Sequence, residues 1–130
     1  MIQRIQTVFL FMIAMVSIIS FFFLPPLDFF IFELMVPAIL KSYIILTSSL
    51  AFLSLMIFKN RKTQLIINRL HFFLQVAMTG VLMFGLLNAD ELNSFLLWLL
   101  IPLQSMVLLI MSSKAIKKDE DLIRSIDRLR

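Results

Sequence analysis

The chain has 130 residues, hydrophobic residues make up 61% of it, and its formal net charge is +4. The usual hydrophobic share of a soluble protein is about 45–50%, and so short a soluble domain could not bury this much apolar surface. The chain has no cysteine, which excludes disulfide bonds and thiolate metal sites, and its single histidine is too few for a histidine-based site. We therefore expect one membrane domain over residues 1–130, with no metal and no cofactor.

Four long apolar segments predict four transmembrane helices. Their charge-free cores have about 16–17 residues each, near the lower limit for crossing a bilayer as a helix, and flanking residues extend them. Helices are favoured because isolated strands cannot satisfy their backbone groups in lipid. The expected fold is an all-α membrane protein, an antiparallel bundle of four helices with a short amphipathic cytoplasmic C-terminal helix. The predicted spans are about 5–24, 38–58, 66–87 and 94–112, followed by a tail over 113–130.

The distribution of basic residues predicts the orientation. Eleven of the twelve Lys and Arg residues fall in the N-terminus, the second loop and the tail, and only Lys41 falls on the other side. By the positive-inside rule, both termini are expected in the cytoplasm. The first loop contains Asp28 and Glu33 among apolar and aromatic residues. This composition suits a segment that lies in the interface on the outward-facing side of the same membrane. The first span lacks a small-x-small cleavage site, which disfavours a signal peptide.

The C-terminal tail combines dense charge with apolar residues at helical spacing. These apolar residues are Ile116, Leu122, Ile123, Ile126 and Leu129. They predict an amphipathic helix. The first interpretation is a helix that bends after Ser112 and Ser113 onto the inner leaflet, where each basic residue adds about 1 kcal/mol. The second is docking to a cytoplasmic protein, which would leave the helix projecting from the bilayer. Interspersed acids disfavour nucleic acid as a partner.

A polar stripe runs along the third predicted span. Its residues follow steps of four, three, four and four, which puts them on one helix face: Gln64, Asn68, His71, Gln75 and Thr79. A polar side chain facing lipid is costly, so the stripe should face the bundle, with Gln104 and Ser105 as partners on the fourth span. Interhelical hydrogen bonds, worth about 0.6 kcal/mol per pair, are one interpretation. A polar path or a small-ligand site is the other.

Both ends of the chain resemble a known family. The sequences MIQRIQ at residues 1–6 and AIKKDEDLIRSIDRLR at residues 115–130 resemble the small inner-membrane proteins of Bacteroidota catalogued as domain of unknown function DUF4293. The spans match that family only as apolar helices. The resemblance implies a four-span protein of a bacterial inner membrane, and it implies no catalytic residue, substrate or cofactor.

Three classes of function remain open from the sequence. The first is a non-catalytic accessory or scaffold subunit that presents its charged tail. The second is a small oligomeric transporter or channel that uses the polar stripe. The third is a membrane enzyme, which the lack of a catalytic or metal-binding constellation disfavours. The expected partners are the lipid bilayer, a membrane or cytoplasmic protein and, for the second class, further copies of the chain.

Overall fold

A computed structural model describes residues 2–25, 27, 30–31, 34–57, 59–88 and 92–128. Over this part of the chain it contains four long helices, α1 (Ile2–Phe23), α2 (Val36–Met56), α3 (Arg61–Asn88) and α4 (Leu92–Arg128). All four are long and apolar enough to cross a membrane, which confirms the prediction of four such helices. Two short strands, β1 (Phe30–Ile31) and β2 (Leu34–Met35), form an antiparallel pair between α1 and α2.

Local sequence explains where two of the helices begin and end. Helix α1 stops at Phe23, just before Pro25, since proline has no backbone N–H to continue a helix. Helix α3 begins after Asn60, whose side-chain oxygen accepts a hydrogen bond from the Thr63 backbone N–H at 3.4 Å. Asparagine is a favoured residue at this capping position. The connection from α2 to α3 is therefore a short capped turn.

The helices pack as a four-membered bundle in which each packs mainly against two others. Helix α1 contacts α2 and α4, and α3 contacts the same two helices. At one end of the bundle, the Trp98 indole on α4 donates a hydrogen bond to the Pro25 carbonyl at 2.8 Å, and the Phe95 ring lies against Gly85 of α3. At the other end, the Arg61 guanidinium of α3 pairs with the Asp119 carboxylate of α4 at 2.6 Å.

The outer surface of the bundle is apolar, and its interior contains polar side chains as well as apolar ones. Large aliphatic and aromatic side chains point outward along every helix, among them Phe11, Phe52 and Phe73 at 55–69% exposure. Soluble monomers rarely expose such large continuous apolar surfaces. Buried positions instead include glutamine, asparagine, histidine, serine and threonine. An apolar outer surface around an interior that includes polar side chains is expected when lipid surrounds the protein.

Helix α4 differs from the sequence-based expectation. It continues without a break through Ser112 and Ser113 to Arg128, so the predicted bend after the two serines is wrong. Ile116 is fully buried, because it extends the inward face of α4 that already contains Ser105 and Ser112. It therefore belongs to the bundle and not to an exposed tail surface. Leu122, Ile123 and Ile126 are exposed.

Several predictions concern residues outside the described part of the chain. They include Asp28 and Glu33 of the first loop and Leu129 of the tail. The described part of the first loop contains the strand pair, in which Phe30 lies opposite Met35 and Ile31 lies opposite Leu34. The sequence did not predict these strands. Leu27, just before them, is buried in the larger apolar core.

Candidate functional site

The polar stripe of α3 lies inside the bundle along most of its length. Gln64, Asn68, His71 and Gln75 are each no more than 3% exposed. The same face of α3 continues with Met78, Leu82 and Gly85, which are also buried. One half of this inward face is therefore polar and the other half is apolar. The two halves pack against different parts of the neighbouring helices.

Three helices meet through hydrogen bonds at the polar half, in a group that we call the polar layer: Ser54, Gln64, Asn68 and Ser112. The Gln64 amide donates to the Ser54 backbone carbonyl at 3.1 Å, and the Ser54 hydroxyl donates to the Asn68 side-chain oxygen at 2.7 Å. The Asn68 amide nitrogen lies 3.4 Å from the Ser112 hydroxyl of α4. Asn68 thus joins α2, α3 and α4 at one level. Buried polar groups are costly unless paired in this way.

Gln75 forms a second set of contacts with α2. Its side-chain oxygen accepts a short hydrogen bond from the Tyr43 hydroxyl, and its amide nitrogen lies 3.5 Å from the Thr47 hydroxyl. Thr79 is partly buried and donates to the Gln75 backbone carbonyl at 2.8 Å, within its own helix. The last member of the predicted stripe therefore satisfies its hydroxyl locally and does not reach another helix.

The predicted partner of Gln75 on the fourth span is wrong. Gln104 is exposed, whereas the next residue, Ser105, is 1% exposed and faces the bundle. One residue on an α-helix turns the side chain by about 100°, so both cannot point inward. The hydrogen bonds of Gln75 go to Tyr43 and Thr47 of α2 instead.

Tyr43 was not among the predicted partners of Gln75. Tyr43, Thr47, Ala51 and Ser54 are all buried on α2, at steps of four, four and three. This spacing puts them on one helix face and was readable from the sequence. In the structure Thr47 and Ser54 also make hydrogen bonds.

His71 is the least satisfied member of the stripe. Its side chain is fully buried, and neither ring nitrogen has a hydrogen-bond partner among the residues that the structure describes. We expected His71 to form a hydrogen bond within the bundle, but no described residue is its partner. The described residues also contain no group of three or more His, Asp or Glu side chains close enough to hold a metal ion.

Charged contacts lie beyond the polar layer. Arg61 and Asp119 form a partly buried ion pair, with side chains 18% and 15% exposed. Arg124 and Glu120 form another pair at the same 2.6 Å within α4, but the Arg124 side chain is 64% exposed. The first pair joins the start of α3 to the part of α4 that continues past the apolar segment. It therefore fixes the position of that extension relative to the bundle.

Replacing Gln75 with leucine should cost little stability if its hydrogen bonds serve packing. We expect the free energy of unfolding to fall by about 1 kcal/mol or less. The matched control is Gln104→Leu on the exposed surface of α4, which should lose nothing. A double-mutant cycle with Tyr43→Phe, measured by unfolding in mixed micelles, should give a coupling of about 0.6 kcal/mol. Zero coupling would contradict the assigned contact.

The fold and the polar layer together define a class of protein. Four span-length helices with apolar outer faces and hydrogen-bonded polar side chains at their contacts are typical of multi-pass helical membrane proteins. The sequence model of the family described as domain of unknown function (DUF4293) matches residues 2–129, so the chain belongs to that family. No curated protein and no solved structure matches the chain.

Proposed function

We propose that the protein is a non-catalytic accessory or scaffold subunit of a bacterial inner membrane. In this proposal the helices alternate in direction and both termini lie in the cytoplasm. The contacts of Gly85 with Phe95, and of Arg61 with Asp119, support alternation between α3 and α4, since they join opposite ends of the two helices. The basic residues support the orientation, because eleven of twelve would then face the cytoplasm.

The observation that carries the scaffold role is the continuation of α4 as one unbroken helix past its apolar part. Its charge-free part, residues 92–113, is 22 residues long, or about 33 Å as a helix, which matches a hydrocarbon core of about 30 Å. Leu122 lies nine residues further on, about 13 Å beyond that boundary. The headgroup layer on each side is only about 5–8 Å thick. A helix of this length that runs along the membrane normal carries Leu122, Ile123 and Ile126 past the lipid.

These three aliphatic side chains need another surface. They are 44%, 45% and 59% exposed, and they lie among charged residues on the extension. Because lipid is out of reach of such a helix, a protein surface is the better fit. The Arg61–Asp119 pair supports this geometry, since it would have to break if the extension bent away from α3 at Ser113.

The transporter or channel alternative rests mainly on His71. A buried imidazole without a hydrogen-bond partner among the described residues is the one polar group of the stripe that packing does not explain. Gln64, Asn68 and Gln75 hydrogen-bond to residues of α2 or α4, and the Thr79 hydroxyl donates to a backbone carbonyl of its own helix, which supports a structural role for them. His71→Leu should therefore leave the protein folded. It should abolish transport or conduction only if the protein is a transporter or channel.

A substitution on the extension tests the scaffold role. We expect affinity purification of the Ile123→Ser/Ile126→Ser variant from native membranes to lose a partner that co-purifies with the wild type, by about tenfold or more, since buried aliphatic anchors supply much of a docking surface. The matched control is Arg128→Gln, an exposed residue on the same extension, which should keep the partner. The wild type, the serine variant and the control should all insert into the membrane to the same extent.

Two outcomes would count against this role. One is a wild-type protein that co-purifies with nothing in stoichiometric amount. The other is a serine variant that keeps the same partner as the control. In either case the charged extension would serve only to keep the C-terminus on the cytoplasmic side of the membrane.

A further inference from the structure

A groove of about 410 Å³ opens on the outer surface between α3 and α4. This volume falls within the range of about 300–1,000 Å³ that is typical of small-ligand sites. One part of its wall is apolar and is formed by Phe72 and Phe73 of α3 with Leu109 and Ile110 of α4. Phe73 and Ile110 are also exposed on the outer face of the bundle. The groove is therefore open to the surrounding lipid.

The other part of the groove wall carries three basic residues. Arg69 contributes from α3, and Lys114 and Lys117 contribute from α4. All three are exposed, and none of them forms an ion pair with another described residue. No acidic residue lines the groove. Three positive charges thus converge on one site, and the nearby acid Asp121 lines the adjoining pocket without forming an ion pair with Lys114 or Lys117.

These charges lie at the depth of the lipid headgroups. Residues 70–88 of α3 and 92–113 of α4 contain no charged side chain, and each stretch is about 28–33 Å long as a helix. Arg69 immediately precedes the first stretch, and Lys114 immediately follows the second. The hydrogen bond between Asn68 and Ser112 puts the two neighbouring positions at one level. The apolar wall therefore faces the hydrocarbon and the basic residues face the headgroup layer.

The geometry points to a binding site for one anionic glycerophospholipid in this groove. Its phosphate lies among Arg69, Lys114 and Lys117, and one acyl chain follows the apolar wall of Phe72, Phe73, Leu109 and Ile110. The net negative headgroup is favoured because a zwitterionic headgroup carries its own cation, which three unpaired basic side chains would repel. A free phosphate would leave the apolar wall uncovered. The site does not depend on the scaffold role or on which side of the membrane the groove faces.

Lipid titration of the purified full-length chain in detergent, followed by native mass spectrometry, tests the site. The probes are phosphatidylglycerol and phosphatidylcholine with identical acyl chains. We expect the wild type to bind the first lipid about tenfold more tightly. The Lys114→Gln/Lys117→Gln variant should raise the Kd for phosphatidylglycerol about ten- to thirtyfold. Each basic residue near an anionic lipid increases the binding affinity by about a factor of five.

Two further variants separate charge from shape. The matched control, Lys59→Gln/Lys62→Gln, removes two exposed charges that do not line the groove, and it should change the Kd by about twofold or less. Ser113→Trp places a bulky ring in the groove and should weaken the binding of both lipids. An unchanged melting temperature verifies that each variant is folded.

Three results would overturn the assignment. The first is equal affinity of the wild type for the two lipids. The second is an equal loss of affinity in the groove variant and the control variant, which would show only nonspecific attraction. The third is displacement of the bound lipid by inorganic phosphate at the same concentration, which would make the site a phosphate site.

Discussion

Gly85→Leu should strongly destabilise the protein, whereas Gly80→Leu should leave its stability unchanged. A Cβ atom at position 85 would overlap the Phe95 ring and lie only 3.0 Å from its Cζ atom. The ring has little room to move, because Phe95 is 2% exposed within the larger apolar core. Extra atoms forced into a packed core cost about 1–3 kcal/mol, and leucine at this contact should reach the upper part of that range.

The two glycines make a matched pair. Both lie on α3, and they are the only glycines in the chain. A Cβ atom at Gly80 would meet no atom within 4 Å, and Gly80 is exposed. The measurement is the free energy of unfolding in mixed micelles. Phe95→Leu in the Gly85→Leu background should restore part of the lost stability. Equal losses at positions 80 and 85 would contradict the close approach of α3 and α4.

The Arg61–Asp119 ion pair should contribute more to stability than the Arg124–Glu120 pair, although both are 2.6 Å long. Breaking a fully buried pair costs about 3–5 kcal/mol, because an unpaired charge remains, while exposed pairs contribute about 0–1 kcal/mol. With side chains 18% and 15% exposed, the first pair lies between these limits. We expect Arg61→Gln or Asp119→Asn to cost about 1–2 kcal/mol each.

Double-mutant cycles measure this difference directly. The double variant Arg61→Gln/Asp119→Asn should lose little more than either single variant, because removing both charges leaves none unpaired. The control cycle uses Arg124→Gln and Glu120→Gln. Their coupling energy should be about 0.3–0.5 kcal/mol, as for other ion pairs four residues apart on a helix. A coupling between Arg61 and Asp119 no larger than that of the control cycle would mean that this ion pair does not hold the extension of α4 against α3.

Much of the fold was predictable from the sequence because lipid imposes simple rules. Apolar segments of sufficient length become helices, and polar side chains within them turn toward other helices. Gln64, Asn68, His71 and Gln75 follow the second rule, because their spacing marks one face of α3. The inward face of α3 could therefore be assigned without any knowledge of its neighbours.

In helix α4, local sequence patterns are not sufficient to predict the packing. Its apolar residues surround the helix, so periodicity does not distinguish Gln104 from Ser105 as the inward residue. The charges that begin at Lys114 suggested that the bundle ends there, but Ile116 remains on the buried face. The pairing of Arg61 with Asp119 depends on the vertical alignment of α3 and α4, which no local pattern encodes. The contact of Gln75 with Tyr43 depends on packing in the same way.

Cysteine accessibility in intact cells tests the central claim, a four-span protein with both termini in the cytoplasm. The chain has no native cysteine, so each introduced cysteine is a unique label. Lys59, Asn88 and Ser125 are exposed and lie between or beyond the proposed spans. A maleimide that reaches the periplasm but does not cross the inner membrane should label Asn88→Cys, and it should label Lys59→Cys and Ser125→Cys only after permeabilisation. Labelling of Ser125→Cys in intact cells, or protection of Asn88→Cys until permeabilisation, would contradict the account.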